Sequence, residues 1–301
     1  MAKSTQDQWA QWLLERRHGG DTEKQKAVLK SLYPVRNKVL QHARLSEGNT
    51  LLDVGCGDGL IAFGALPIVG ERGKVIFSDI SQDLLDYCQS LARQAGVLDR
   101  CRFVRAPADD LSLIETNSVD ALTTRSVLIY VAAKQRAFNE FYRVLKPGGR
   151  LSIFEPINRF SYPEPLNRFG GYEITPIMPI VVKIITAYAR TQDLKTGPMM
   201  DFDERDLFTF AENAGFAEVH LELQAEVVPG KFEPDAEAEK PNWEAFLRSS
   251  GNPLAPTLEE VMHQALTPEE AQQFTAYMRP LVSTRQYVRR FAVAYLWAVK
   301  R

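Results

Sequence analysis

Residues 51–59 read Leu51-Leu52-Asp53-Val54-Gly55-Cys56-Gly57-Asp58-Gly59, a short apolar strand that runs straight into a glycine-rich turn. Glycine suits such a turn because a side chain there would block the close approach of a ligand to the backbone. The dinucleotide fingerprint G-x-G-x-x-G requires glycine where Leu60 stands, and no G-K-[ST] sequence follows. The turn therefore predicts a ligand site between a strand and a helix, and it disfavours NAD and a Walker-type phosphate loop.

A carboxylate follows the next predicted strand, twenty residues after Gly59. The strand Val75-Ile76-Phe77-Ser78 ends in Asp79, and a carboxylate at a strand terminus can accept hydrogen bonds from both hydroxyls of a ribose. Taken alone, Asp79 could equally cap a helix that begins near Ser81. Together with the glycine turn, it indicates a nucleoside ligand.

Strand-like and helix-like segments alternate along the chain. The predicted strands are Thr50–Val54, Lys74–Ser78, Cys101–Arg105, Ala121–Thr124, Arg150–Phe154, Ala217–Val228 and Tyr287–Val299. The last of these also has the length and alanine content of a helix. The alternation predicts an α/β fold, a Rossmann-like seven-stranded and mostly parallel sheet with helices on both faces.

The order of the predicted strands and helices divides the chain into four parts. Residues 1–45 are expected to form an N-terminal helical lid, and residues 46–155 the ligand-binding core. Residues 156–202, rich in Pro, aromatics and Ile, break the alternation and are interpreted as a cap insertion. Residues 203–301 complete the core and contain a helical insertion at about 229–284.

Three helices are predicted in the lid and after the cap. The lid contains a helical pattern over Gln6–Arg17, which carries Trp9 and Trp12, and a second one over about Glu23–Ala43. Asp203 is expected to cap the helix that follows the cap insertion.

Composition restricts the partners. Thirty-six basic and thirty-eight acidic residues leave no field that would recruit nucleic acid or an anionic membrane. No apolar run approaches the roughly 20 residues of a membrane span, and the N-terminus lacks the apolar core of a signal peptide. Three cysteines without CxxC spacing and four scattered histidines predict a cytoplasmic protein without a metal site. The acidic run Glu233–Glu239 is expected to be a solvated, mobile loop.

Over about Thr50–Asn158 the chain resembles the class I S-adenosylmethionine-dependent methyltransferases, in particular the ubiquinone-biosynthesis and sterol C-methyltransferase group. The resemblance implies that the cofactor is S-adenosylmethionine. The implied cofactor residues are Asp53, Gly55, Gly57 and Gly59 for the methionine part, Asp79 with Ile80 for the ribose, Ala108 and Asp109 for the adenine, and the main-chain carbonyl of Arg125 for the amino group. Pro107 stands where the family often has an aspartate.

The acceptor residues are less constrained. Family members take them from the N-terminal helices and from the loops after the fourth and fifth strands, where Glu155, Tyr130 and His18 are the candidate catalytic residues. Glu155 follows a strand at the edge where open α/β sheets bind ligands, but it is equally interpretable as a structural carboxylate paired with Arg159 or a helix terminus. The remaining candidates for acceptor contact are Arg159, Tyr172, Trp9 and Trp12, and the two tryptophans also fit a packing stripe.

The leading hypothesis is an enzyme that transfers a methyl group from S-adenosylmethionine to a small molecule, because two insertions beyond the minimal fold could enclose an acceptor. The alternatives are a cofactor-binding module without catalysis and a methyltransferase that acts on a protein. Neither nucleic acid nor a membrane is expected as a partner, and a homo-oligomer is compatible with the sequence.

Overall fold

The structure, a computed structural model, describes residues 6–191, 197–230 and 242–301. Its strands are β1 Thr50–Val54, β2 Lys74–Asp79, β3 Cys101–Arg105, β4 Val119–Arg125, β5 Leu145–Pro156, β6 Arg168–Phe169, β7 Tyr172–Glu173, β8 Ala217–Pro229 and β9 Val288–Val299. Seven of them form one sheet in the order β3-β2-β1-β4-β5-β9-β8, and β6 and β7 form a separate hairpin. The first five strands of the chain pair in parallel, whereas β9 is antiparallel to both β5 and β8. This arrangement confirms the predicted fold class.

Helices cover both faces of the sheet. They are α1 Gln8–Leu14, α2 Thr22–Ser31, α3 Tyr33–Ala43, α4 Leu60–Val69, α5 Gln82–Gln94, α6 Lys134–Val144, α7 Asn158–Ser161, α8 Met178–Thr191, α9 Glu204–Ala214, α10 Trp243–Arg248, α11 Leu258–Ala265 and α12 Pro268–Ser283. One hydrophobic cluster packs α6 and α9 against the sheet, and a second packs α3, α4 and α5 against the opposite face. None of the described helices is long and apolar enough to cross a membrane.

Several element boundaries differ from those predicted. The helix expected over Glu23–Ala43 is broken at Leu32, because Pro34 lacks an N–H and occupies the first turn of α3. The first helix is shorter than predicted and passes into a 3-10 turn at Arg16–His18. The final segment, for which strand and helix were both open, is strand β9. As predicted, Asp203 caps α9.

The two insertions are not separate units. The first contributes α7, the β6–β7 hairpin and α8, and the second contributes α10, α11 and α12. They share one hydrophobic cluster, in which Val181 and Ile184 of α8 pack with Val261, Phe274 and Met278 of the second insertion. The acidic run Glu233–Glu239 lies outside the described residues. The cap therefore has its own core, built from segments that are distant in sequence.

Candidate cofactor and acceptor site

The glycine turn joins β1 to α4 in a conformation that favours glycine. Gly55, Gly57 and Gly59 have φ angles of 64°, 55° and 82°, in the left-handed region that other residues rarely adopt. The turn is also tightly packed, since a Cβ at Gly55 would lie 2.3 Å from a methyl group of Val127. Three of the five residues of the turn, which lies at the carboxyl end of the sheet, therefore have no side chain.

Asp79 lies beside this turn at the end of β2. Its carboxylate accepts hydrogen bonds from the Gly57 N–H at 2.9 Å and from the Ser81 N–H at 3.0 Å, and burial raises its pKa. The hydroxyl of Ser81, and not Asp79, caps α5 by accepting the N–H of Leu84 at 3.1 Å. The capping alternative for Asp79 is therefore not realised, and this carboxylate is tied to the glycine turn.

Asp53 is buried beneath the turn. Its carboxylate accepts hydrogen bonds from the Thr123 hydroxyl at 2.8 Å and from the Ala62 N–H at 3.2 Å. Burial raises its pKa to about 7. Both bonds are internal and connect β1 with β4 and α4, so Asp53 holds the turn in place. Direct contact with the cofactor remains a prediction for this residue.

The residues expected around the adenine lie at the ends of neighbouring strands. Asp79 pairs with Arg105 in the parallel register of β2 and β3, and the Arg105 side chain donates to the Ile80 carbonyl at 3.0 Å. Ile80 is 39% exposed, Ala108 is buried, and Asp109 is half-buried. Contact of Ala108 and Asp109 with the adenine remains a prediction.

Glu155 is buried at the end of β5. Its carboxylate accepts the N–H groups of Val127 at 2.8 Å, Leu128 at 3.0 Å and Ile129 at 3.4 Å, at the start of a 3-10 turn. Burial raises its pKa to about 7 despite these bonds. The geometry favours the alternative of a structural carboxylate at a helix terminus.

Arg159, the other suggested partner of Glu155, faces different carboxylates. Its guanidinium lies 3.6 Å from Asp203 and 4.0 Å from Asp206, at the start of α9. It therefore joins α7 to the core beyond the cap.

The N-terminal helix covers the glycine turn. Leu13 lies so close that a Cβ at Gly57 would be 3.1 Å from one of its methyl groups. The start of α1 is held by Asp7, which accepts the Ser81 hydroxyl and donates its N–H to Asp83. These contacts fasten α1 beside the start of α5, two residues from Asp79, and the role of α1 as a lid over the cofactor remains a prediction.

Aromatic residues line the underside of α1. The ring of Tyr130 lies 5.0 Å from that of Trp9 and 6.4 Å from that of Trp12, and burial raises the pKa of Tyr130 to about 12. The Trp12 indole N–H donates to the Ser250 carbonyl at 2.9 Å. The tryptophans therefore pack the lid onto Tyr130 and onto the second insertion.

His18 ends the 3-10 turn that follows α1. Burial, followed by the charges of Arg17 and Lys24, lowers its pKa to about 4. The imidazole is therefore neutral at neutral pH and is a weak base, which counts against a role in deprotonating the acceptor.

A large cleft, here called the cap cleft, lies between α2, the loop after α7, α8 and the second insertion. Its volume is about 2810 Å³. Its lining includes exposed apolar side chains such as Tyr162, Val182, Ile185 and Leu254. The lining also includes Arg159 and the edge of Tyr172, but not His18, Tyr130 or Glu155. Most of Tyr172 is buried in the cap core, where it contacts Phe246 and Tyr287.

Two residues that sequence reasoning missed have unusual environments. Lys134 is buried and donates to the carbonyls of Val131 and Pro198 and to the carboxylate of Asp201, which ties the start of α6 to the cap. Arg17 is half-buried, and its guanidinium lies over the ring of Trp12, 5.1 Å from the ring centroid. The available signal was its place directly after the tryptophan-bearing helix.

Within the described ranges, no group of three His, Cys, Asp or Glu side chains could hold a metal ion, and the absence of a metal stays a prediction.

Strand order, glycine turn and strand-end carboxylate together define a class I S-adenosylmethionine-dependent methyltransferase. The chain belongs to the ubiE/COQ5 methyltransferase family, whose model matches residues 29–228. The resemblance stated from the sequence is thereby confirmed, and with it S-adenosylmethionine as the cofactor.

Curated relatives cover part of the chain. It is 37% identical over 108 residues to the ubiquinone/menaquinone biosynthesis C-methyltransferase UbiE of Escherichia fergusonii, covering 36% of this chain and 43% of that protein. The same identity and length are found with UbiE of Vibrio cholerae, of which 41% is covered. The chain thus spans about two fifths of the length of the curated relatives it matches.

Solved structures share the fold at low identity. The YcgJ protein of Bacillus subtilis superposes with a TM-score of 0.53 at 13% identity, covering 89% of this chain and 99% of that one. A geranyl diphosphate methyltransferase, solved with S-adenosylmethionine, gives a TM-score of 0.52 at 17% identity and covers 94% of each chain. These likenesses support the fold alone.

Proposed function

We propose that this protein transfers a methyl group from S-adenosylmethionine to a small-molecule acceptor. The observation that carries the proposal is the glycine-rich turn, which is hydrogen-bonded to Asp79 and contacted by Leu13 of the N-terminal helix. This arrangement fits a nucleoside-containing ligand. The glycines allow the ligand to approach the backbone closely, and the Asp79 carboxylate can accept hydrogen bonds from the ribose hydroxyl groups. When bound, the cofactor supplies an already activated sulfonium methyl group, so the protein needs only to align a nucleophile with it.

Within this proposal the cofactor residues keep the roles that the resemblance implies. Gly55, Gly57 and Gly59 admit the methionine part, and Asp53 supports them from below. Asp79 with Ile80 holds the ribose, Ala108 and Asp109 receive the adenine, and the Arg125 carbonyl accepts the amino group. The side chains that exclude water from the reacting atoms are those of α1, above all Trp9, Trp12 and Leu13.

The cap cleft is the proposed acceptor site. One of its lining residues, Asn158, lies two residues after the end of β5, whereas none of the proposed cofactor residues lines the cleft. Its exposed apolar side chains favour an acceptor with a large apolar surface. Two parts of the enclosure, α1 and the segment from α10 to α12, lie outside the family match at residues 29–228. The proposed enclosure therefore includes segments that the family match does not cover.

The names of the matched relatives suggest the first acceptors to test. These relatives are named as C-methyltransferases of ubiquinone and menaquinone biosynthesis, so a quinone precursor lacking the methyl group is the first compound class. Cytoplasmic location, a homo-oligomeric state and the absence of nucleic-acid partners remain predictions, the last supported by the near balance of charges.

The proposal is tested with S-adenosylmethionine that carries a tritiated methyl group. The purified protein is incubated with quinone precursors or with a fractionated metabolite extract, and the label is counted separately in organic-soluble, aqueous and acid-precipitated fractions. We expect label in a small-molecule fraction, and none with the Gly57→Val variant as the control.

Two results would overturn the proposal. Label confined to precipitated protein would indicate a protein substrate. Cofactor binding by calorimetry without transfer to any fraction would indicate a non-catalytic module.

A further inference from the structure

Strand β8 forms one edge of the seven-stranded sheet. It pairs with β9 on one side, and no strand among the described residues pairs with its other side. Its 13 residues therefore present a long row of main-chain N–H and C=O groups at this outer edge. Such an edge is a template for the addition of another strand.

The features that usually protect an exposed edge are weak in β8. Proteins block such edges with short strands, lysine, proline or bulges. β8 contains no lysine or arginine, and its one proline is its last residue, Pro229. Its irregular pairing with β9 lies at its start, between Ala217 and His220. The rest of the strand is regular, so its outer edge is suited to pairing.

One face of β8 is apolar, and only its first half is covered. Val219 and Leu221 pack against the hydrophobic cluster that contains α6 and α9. Leu223 and Val227 continue the same face, because side chains alternate along a strand, and they are 42% and 60% exposed. A partner that covered this second half would remove apolar surface from water.

The sequence of β8 is complementary to itself in an antiparallel pairing. Leu223 is the midpoint of Ala217–Pro229, so a twofold axis at Leu223 pairs the whole strand with that of a second copy. In this register the exposed Val227 lies opposite the partner subunit's Val219. The exposed half of each apolar face is thus placed beside the covered half of the other.

The charges of β8 favour the same register. His220 lies opposite the partner subunit's Glu226, and an imidazole can donate a hydrogen bond to a carboxylate. Glu222 already bonds to Lys38 of its own chain. Moving the axis to Glu222 would place this residue opposite its own copy, and moving it to Gln224 would place it opposite the partner subunit's Glu226. Both shifts oppose like charges, which is unfavourable.

We propose that the outer edge of β8 is a homodimer interface, in which two copies of this chain pair antiparallel around Leu223 and join their sheets into one. Main-chain hydrogen bonds between the two strands hold the copies together, and the apolar face and the two His220–Glu226 pairs set the register. This inference goes beyond the proposed function and does not depend on methyl transfer.

The first test is the mass of the purified protein in solution, measured by sedimentation over a range of concentrations. We expect a species of twice the chain mass of 34.0 kDa. Leu223→Lys places two like charges opposite each other and should weaken dimerisation about tenfold or more. Leu113→Lys is the matched control, because Leu113 is 61% exposed outside β8, and it should leave the dimer intact. Circular dichroism checks that both variants are folded.

A charge exchange tests the register without changing Leu223. His220→Glu would face the partner subunit's Glu226 and should weaken dimerisation, because like charges then lie opposite each other. Adding Glu226→Lys recreates an opposite pair and should restore the dimer. The His220 ring stacks on Trp297 at 5.2 Å, and this contact is lost in both proteins, so it does not affect their comparison.

Disulfide formation gives a further measurement that needs no destabilised variant. Two directly opposed Cβ atoms lie about 5 Å apart, so Leu223→Cys should form a disulfide between copies under mild oxidation. Gln224→Cys should not, because its two copies are then separated by about 8 Å between Cα atoms, beyond the reach of a disulfide. The wild type is the control for the three native cysteines.

Three outcomes would overturn the proposal. A monomer at every concentration would exclude the dimer. A dimer affected equally by Leu223→Lys and Leu113→Lys would place the interface elsewhere. A disulfide through Gln224→Cys and not through Leu223→Cys would contradict the register.

Discussion

The cofactor side of the molecule and its acceptor side are built in different ways. Around the glycine turn, the decisive contacts involve backbone N–H groups and residues close in sequence, such as Gly57 with Asp79 and Asp79 with Ser81. The lid and cap are joined by contacts between distant segments, for example Trp12 with Ser250, 238 residues apart. The contacts around the glycine turn can thus be carried by a short motif, whereas the arrangement of the N-terminal helix and the insertions depends on tertiary packing.

The largest effect on the cofactor side is expected when a side chain is placed in the glycine turn. We expect Gly57→Val to weaken S-adenosylmethionine binding about a hundredfold or more, while circular dichroism shows a retained fold. A Cβ at this position meets Leu13 at 3.1 Å, and the φ of 55° is strained for valine. Such strain costs about 1–3 kcal/mol, and the added methyl groups also occupy the path of the ligand.

The control for this variant is Gly96→Val. Gly96 has a φ of 68° with open space around a Cβ, so the backbone strain is similar but the cofactor site is untouched. Wild-type affinity in Gly57→Val would show that the turn is not the binding surface.

A smaller loss is expected when the ribose carboxylate is removed. Asp79→Ala should weaken S-adenosylmethionine binding by about 2 kcal/mol, or roughly thirtyfold, through loss of charge-assisted hydrogen bonds. Calorimetry measures the change, with Asp86→Ala, an exposed position on α5, as the control. Equal affinity of Asp79→Ala and the wild type would leave the nucleoside assignment without support.

The same contrast explains what the sequence could predict. The strands, the turn and Asp79 were predictable because their signals are local: apolar runs, glycine spacing and a carboxylate at a strand end. Glu155 was ambiguous because its carboxylate accepts three backbone N–H groups from the loop after β4, and the sequence does not specify the path of that loop. The shared core of the two insertions was not predicted, because the apolar residues of α8 and α12 do not identify the helix against which each one packs.

The pH dependence of stability separates the two interpretations of Glu155. Its pKa in the folded protein, about 7, is above the ordinary value of 4.5, so ionisation is less favourable in the folded state. The wild type therefore loses stability as the pH rises from about 4.5 to 7, and this loss is complete above that window. Glu155→Gln cannot ionise, so its stability relative to the wild type should rise across the window by about 1–3 kcal/mol.

Urea unfolding of both proteins at several pH values measures this difference. Asp53, whose pKa is also raised to about 7, contributes in the same sense but is present in both proteins and cancels. S-adenosylmethionine affinity should stay within a few fold of the wild type. If turnover were abolished while the stability difference stayed flat with pH, Glu155 would act in catalysis and not in the architecture of the loop.

The smallest effect concerns the bond between lid and cap. Trp12→Phe keeps the aromatic packing on Tyr130 but removes the indole N–H that reaches the Ser250 carbonyl at 2.9 Å in a buried place. An unpaired buried carbonyl costs about 1 kcal/mol, which urea unfolding can resolve. Trp9→Phe is the matched control, because Trp9 contacts the same tyrosine at 5.0 Å and its ring N–H has no bond to a described residue. A loss of equal size in both variants would mean that aromatic packing alone holds the lid, and that the second insertion does not position it. A loss of stability confined to Trp12→Phe would instead mean that the second insertion, which is proposed to enclose the acceptor, also positions the N-terminal helix.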